Sequence, residues 1–174
     1  MSLRYDTDMS EIASPSAVSP ALSGRFADDG HESWVRVYYE DTDFSGVVYH
    51  ANYLRYFERG RSDFLRMAGI SHTELAVLPE PLAFAIARVD VRFHRPARID
   101  DLIRIVTQPA TVRAASFSLT QRAECGGHLL AEAMVEVVCI NLDNRPRRLP
   151  KDLAHKVSPE GWPTGATGKN DGSP

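Results

Sequence analysis

The clearest pattern in the chain is a wide apolar stripe that recurs every three or four residues between Ala51 and Ala68. This spacing predicts one long helix with one buried face and one charged face. The stripe consists of Tyr53, Tyr56, Phe57, Gly60, Phe64 and Met67. Because Gly60 costs about 1 kcal/mol of helix propensity relative to alanine, we expect the helix to approach a sheet closely at that residue.

Alternation of apolar and polar residues with a period of two predicts strands elsewhere. The five predicted strands are 32–40, 82–94, 102–107 (disturbed at Pro109), 115–124 and 129–142. In the second of them the large apolar residues change from even to odd positions, which predicts a β-bulge near Ala87–Arg88. Gly126-Gly127 predicts a tight hairpin between the last two strands. Short helices are predicted at 71–77, from a capping pattern, and at 150–156.

The order of these elements, one strand, one long helix and then four strands, favours an α+β fold with an antiparallel sheet over a βαβ nucleotide-binding fold. The flanking segments are rich in small residues and proline and show no sustained period. We therefore expect a disordered N-terminal tail at 1–31, one domain at 32–157 and a disordered C-terminal tail at 158–174.

Composition limits the cellular compartments and the classes of partner that fit this domain. The chain has 174 residues and a net charge of −3, with no basic patch that would indicate a nucleic-acid partner. Its two cysteines, Cys125 and Cys139, favour a reducing compartment over a disulfide framework. There is no apolar stretch near the ~20 residues of a membrane span, and no pattern of a secretory signal at the N-terminus. We expect a cytoplasmic protein without a transmembrane segment or bound nucleic acid.

The candidate chemistry lies where the first predicted strand meets the long helix. The turn carries two acids, Asp41 and Asp43, and Gly46 supplies backbone freedom just before the helix starts. Free N–H groups at a helix N-terminus favour a negative charge or a polarised carbonyl oxygen beside them. A carboxylate held at such a place suits an acyl-transfer site, with an anionic attacker or base next to oxyanion donors.

At these residues the chain closely resembles a known family. The pattern Asp-x-Asp-x-x-Gly-x-Val-Tyr-His-x-x-Tyr at 41–53, followed by Phe57-Glu58-Arg59-Gly60-Arg61, is similar to that of the hotdog-fold acyl-CoA thioesterases. Within them it looks most like the YbgC-type, Tol-Pal-associated branch, related to 4-hydroxybenzoyl-CoA thioesterase. The resemblance covers roughly residues 32–156. It implies a hotdog fold, with an antiparallel five-stranded sheet wrapped around one long helix. It also implies an acyl-CoA substrate, a homodimer or homotetramer with active sites at the subunit interface, and no metal or other cofactor.

The resemblance implies that Asp43 is the catalytic acid, either as nucleophile or as general base. The alternative is that Asp43 only satisfies turn amides, as many turn aspartates do. Asp41 is expected to shape the loop through hydrogen bonds. His50 has two candidate roles. Its side chain can polarise a carbonyl or move protons, or its backbone N–H can polarise the thioester carbonyl, as the resemblance implies.

The remaining candidates concern substrate binding. Gly46 and Val47 are expected to act through backbone geometry, and Tyr49 and Tyr53 either line an acyl pocket or are ordinary core aromatics. Five arginines are candidate partners for the phosphates of CoA: Arg88, Arg92, Arg95, Arg98 and Arg113. Glu58 is expected to pair with a neighbour on the helix rather than to act in catalysis.

Two other functions remain open at this point. A hotdog hydratase or dehydratase would use a different arrangement of histidine and acid on the long helix, and this helix has no histidine after His50. A non-catalytic module that binds acyl-CoA or an acyl carrier would not need both Asp43 and His50.

Overall fold

A computed structural model describes residues 20–162, and its centre is one long helix packed on one face of an antiparallel sheet. The helices are α1 (Pro20–Ser23), α2 (His50–Met67), α3 (His72–Ala76) and α4 (Lys151–Lys156). The strands are β1 (Arg25–Ala27), β2 (Gly30–Arg36), β3 (Ala83–Phe93), β4 (Leu102–Val112), β5 (Ser116–Cys125) and β6 (His128–Ile140). Single 3-10 turns lie at Tyr39–Asp41 and Pro159–Gly161. The sheet order is β1-β2-β4-β5-β6-β3.

The core lies between α2 and what we call the inner face of the sheet, the face that packs on this helix. Helix α2 buries Asn52, Tyr53, Tyr56, Phe57, Gly60, Phe64 and Leu65. The opposing residues alternate along the strands and include Ile103, Ile105, Phe117, Leu119 and Val135, all fully or almost fully buried. The long helix and the α+β class are therefore confirmed. Leu65, rather than the expected Met67, completes the buried stripe.

Helix α2 approaches the sheet closely at Gly60. A Cβ atom added there would lie 2.6 Å from Cγ2 of Ile105, which confirms the predicted close contact. Beside it, the Gln121 side-chain amide donates to the Phe57 carbonyl at 2.8 Å and to the Thr107 hydroxyl at 2.9 Å. Arg61 donates to the Gln121 carbonyl oxygen at 2.9 Å. These bonds fix the position of the helix along the sheet.

The predicted irregularities of the strands are present. The register of β3 against β6 shifts between Ile86 and Arg88, which confirms the β-bulge. Strand β4 shifts register between Pro109 and Thr111 but continues to Val112, beyond the predicted end. The hairpin between β5 and β6 turns through Gly126 and Gly127, with φ of 56° and 78°, as a two-glycine turn permits.

Paired strand residues lie before residue 32, the expected start of the domain. Arg25–Ala27 pairs with the start of β2, and His31 is completely buried. Asp29, in the turn between these strands, bonds to Arg104 and to Arg122. The sheet therefore has six strands, not five. Strand β2 also ends at Arg36, before the predicted Glu40, and the 3-10 turn follows.

Packed residues also lie beyond residue 157, the expected end of the domain. Trp162 packs on Phe26, with ring centroids 5.1 Å apart, and stacks on Phe64 at 6.0 Å. The two ends of the described chain thus meet at the C-terminal half of α2. The parts of the predicted tails at 1–19 and 163–174 lie outside the described residues. Among the described helices, none is long and apolar enough to cross a membrane.

Candidate active site

The acidic motif forms a closed turn between β2 and α2. Thr42 and Val48 form an antiparallel bridge at its base. The Asp43 amide donates to the Val47 carbonyl at 2.9 Å, and the Gly46 amide donates to the Asp43 carbonyl at 3.0 Å. Gly46 has a φ of 75°, a conformation that costs glycine little and other residues more. Gly46 and Val47 therefore set the shape of the turn through their backbones.

The Asp43 carboxylate lies exposed near the tip of this turn. It accepts a hydrogen bond from the Ser45 amide at 2.8 Å and a second one from the Ser45 hydroxyl. The hydroxyl first, and then the amide, lower the pKa of the Asp43 carboxyl, with a smaller contribution from the charge of His50. We expected the helix N-terminus to keep this acid ionised. The contacts that do so come mainly from the turn itself.

The start of α2 contains backbone donors without acceptors. The Tyr49 amide donates to the Asp41 carbonyl at 2.9 Å, and the Asn52 amide donates to the Tyr49 carbonyl at 2.8 Å. Between them, the amides of His50 and Ala51 make no hydrogen bond to any described residue. Such amides are able to bind an anion or a polarised carbonyl oxygen.

Aromatic side chains lie beside these donors. The rings of Tyr49 and His50 are 4.4 Å apart, and both side chains are exposed. Tyr53 is buried, with its ring packed edge-on against Phe93 at 5.6 Å. Phe93 is 49% exposed, so the aromatic surface continues from the core to the edge of the sheet.

Comparison with known proteins assigns the chain to a family. Residues 37–157 match the model of the thioesterase-like superfamily. The chain belongs to the thioesterase-like superfamily. It is 44% identical over 121 residues to the acyl-CoA thioester hydrolase YbgC of Escherichia coli, covering 68% of this chain and 89% of that protein.

Two further relatives agree with this assignment. The acyl-CoA thioesterase YbgC of Haemophilus influenzae is 38% identical over 128 residues, covering 72% of this chain and 93% of that protein. The crystal structure of a probable thioesterase from Bartonella henselae is 48% identical, with a TM-score of 0.67, covering 69% of this chain and 98% of that one. The chain is a YbgC-type thioesterase with the expected hotdog fold.

In this thioesterase the five candidate arginines do not form one cluster. Three of them lie on the outer face of the sheet or at its end and pair with acids there, as Arg88–Asp90, Arg92–Glu132 and Arg113–Glu136. The loop after β3 instead reaches the motif, because the Val48 amide donates to the Ala97 carbonyl at 2.9 Å. Arg95 and Arg98 lie exposed in this loop. Within the described range, neither forms an ion pair with another side chain.

The other polar candidates of the thioesterase support its structure. The Asp41 carboxylate accepts from the Tyr38 amide at 2.8 Å, and the Ser62 hydroxyl donates to Glu58 at 2.8 Å.

In residues 20–162 no group of three histidine, cysteine or acidic side chains is arranged to hold a metal ion. Two residues were missed at the sequence level. Ser45 was detectable as part of an Asp-x-Ser turn, whereas nothing local distinguishes Asn52.

Proposed function

We propose that this thioesterase hydrolyses an acyl-CoA to a free acid and CoA in the cytoplasm, with Asp43 as nucleophile or general base. The observation that carries this proposal is the ionised, exposed carboxylate of Asp43 on a turn that leads directly into the free amides of His50 and Ala51. The acyl-CoA specificity named for two YbgC relatives supports the substrate class.

The chemistry needs both parts of this site. Asp43 either attacks the thioester carbonyl carbon, giving an anhydride that water then opens, or takes a proton from a water molecule that attacks the same carbon. On either route the carbonyl oxygen becomes negative and the C–S bond then breaks, releasing CoA. The amides at the start of α2 stabilise that oxygen. In this proposal the His50 side chain assists as a proton carrier.

The edge strand β3 supports a subunit interface at the site. Its inner-face residues Ile86, Val89 and Phe93 are 47%, 37% and 49% exposed, although the same face of its neighbour β6 is buried. An unpaired edge with exposed apolar residues is a surface that proteins generally cover. We propose that a second copy covers it in a homodimer, or a homotetramer built from such dimers. The acyl pocket then lies at Tyr49, Tyr53 and Phe93, with Arg95 toward the CoA phosphates.

Val89→Lys tests this interface. The lysine places a charge on the apolar inner face of β3, so we expect it to separate the subunits. Because the proposed site lies at this interface, we expect thioesterase activity to fall roughly tenfold or more. Size-exclusion chromatography with light scattering measures the mass. Met134→Lys is the matched control, because Met134 is similarly exposed, at 46%, on the outer face of β6. An oligomer that persists in Val89→Lys, or a fully active wild-type monomer, contradicts the interface.

A panel of acyl-CoA esters tests the function itself. The purified protein is incubated with saturated, aromatic and enoyl-CoA substrates while released thiol and all acyl products are measured. We expect thiol and free acid in equal amounts. Conversion of enoyl-CoA to a hydroxyacyl-CoA without thiol release would instead establish a hydratase. Tight binding of acyl-CoA without any conversion would establish a binding module.

A further inference from the structure

A nearly buried side chain joins the catalytic turn to the long helix. Asn52, the third residue of α2, is only 6% exposed. Its side-chain amide donates to the carbonyl oxygen of Asp41 at 2.9 Å. The same oxygen accepts the Tyr49 amide at 2.9 Å. One carbonyl oxygen thus receives two hydrogen bonds from the first turn of the helix.

This oxygen is at the base of the turn that carries Asp43. Asp41 precedes the Thr42–Val48 bridge, and the Asp43–Val47 bond lies just inside that bridge. The position of the turn relative to the helix start therefore depends on the two bonds at Asp41. The Tyr49 bond is made by the backbone and tolerates most side chains, whereas the second bond requires a side-chain donor at position 52.

We propose that Asn52 is a positioning residue that holds the Asp43 carboxylate at a fixed distance from the free amides of His50 and Ala51. The inference rests on the proposed function, because that function requires the carboxylate and the amides to act on one carbonyl group. Displacement of a reacting group by about 1 Å lowers rates by roughly 100-fold. A loosened turn also weakens the Ser45 bonds that lower the pKa of the Asp43 carboxyl.

Asn52→Ala removes the donor. We expect kcat to fall roughly 10- to 100-fold with KM changed less than about twofold, since uniform binding is untouched. The acid limb of the pH profile of kcat/KM is expected to move to higher pH, because the pKa of Asp43 rises toward its ordinary value. Ser62→Ala is the matched control: it removes one side-chain hydrogen bond on the exposed side of the same helix and should change neither kcat nor the acid limb.

Asn52→Asp gives a sharper test because it keeps the size of the side chain. An ionised carboxylate cannot donate to the Asp41 carbonyl and repels it, whereas a protonated carboxyl can donate. The activity of this variant, relative to the wild type, is therefore expected to rise as the pH falls toward the pKa of the new carboxyl. This holds over the pH range in which Asp43 is still ionised. Asn52→Asp is also the variant to use if Asn52→Ala does not fold by circular dichroism.

The outcomes separate this inference from the proposed function. If the wild type releases no CoA from any ester, the proposed function fails, and the Asp43 carboxyl titration, followed by NMR, still tests whether Asn52 fixes the turn. If the wild type is active and Asn52→Ala keeps its kcat and acid limb, Asn52 has no positioning role. A relative activity of Asn52→Asp that is independent of pH overturns the inference in the same way.

Discussion

Asp43→Asn is expected to lower thioester hydrolysis by a factor of roughly 10²–10⁴ while the protein stays folded. The amide of the new side chain can neither attack a carbonyl carbon nor take a proton from water. Its oxygen still accepts the Ser45 amide, so the turn keeps its shape. Because Asp43 is exposed, its replacement removes no core packing. The measurement is kcat/KM from released thiol, together with a thermal melt of each variant.

Two further variants sharpen this test. Asp43→Ala excludes residual activity caused by slow conversion of the new asparagine back to aspartate. Asp143→Asn is the matched control, because Asp143 is also an exposed aspartate in a turn, the one that follows β6. It should retain full activity. Full turnover by a folded Asp43→Ala protein would remove Asp43 from the mechanism and leave only its bonds to Ser45, which is a turn-forming role.

The elements that could be predicted from the sequence are those whose signal is local. Helix α2 carries its period within 18 residues, and the bulge in β3 shows as a change of parity along one strand. Strand β1 has only three residues, too few for a period to appear. Its turn is held by Asp29, whose partners Arg104 and Arg122 lie 75 and 93 residues away. No local pattern contains that information.

The same distinction applies to the candidate site. Asp43 was identifiable from the motif, and Ser45 from the short turn spacing. The placement of Arg88 and Arg92 was also within reach of the sequence, because alternation puts them opposite to the inward-facing Val89 and Val91. The bond from Asn52 to the Asp41 carbonyl could not be predicted from the sequence, since it depends on how the turn folds back onto the helix.

Gly60→Val is expected to lower the free energy of unfolding by about 3–5 kcal/mol, the largest loss of stability among the substitutions proposed. The first added carbon would lie 2.6 Å from Cγ2 of Ile105, and 3.3 Å and 3.4 Å from the polar atoms of Thr107 and Gln121. Ile105 is completely buried and branched at Cβ, so its methyl group cannot move away cheaply. The helix must then shift, which also disturbs the Gln121 bonds.

Urea unfolding measures this loss. Helix propensity does not cause it, because valine is a better helix former than glycine. Arg59→Val is the control for a β-branched residue at an exposed position of the same helix. Arg59 is exposed on the same helix, so valine there should cost only about 0.5 kcal/mol. Equal losses in both variants would show that close packing at Gly60 contributes nothing.

Because α2 also carries the free amides of His50 and Ala51 at its start, a helix displaced from Ile105 moves these donors relative to Asp43. The folded fraction of Gly60→Val should therefore have a lower kcat than the folded fraction of Arg59→Val, which connects the packing of the helix to the chemistry at its N-terminus.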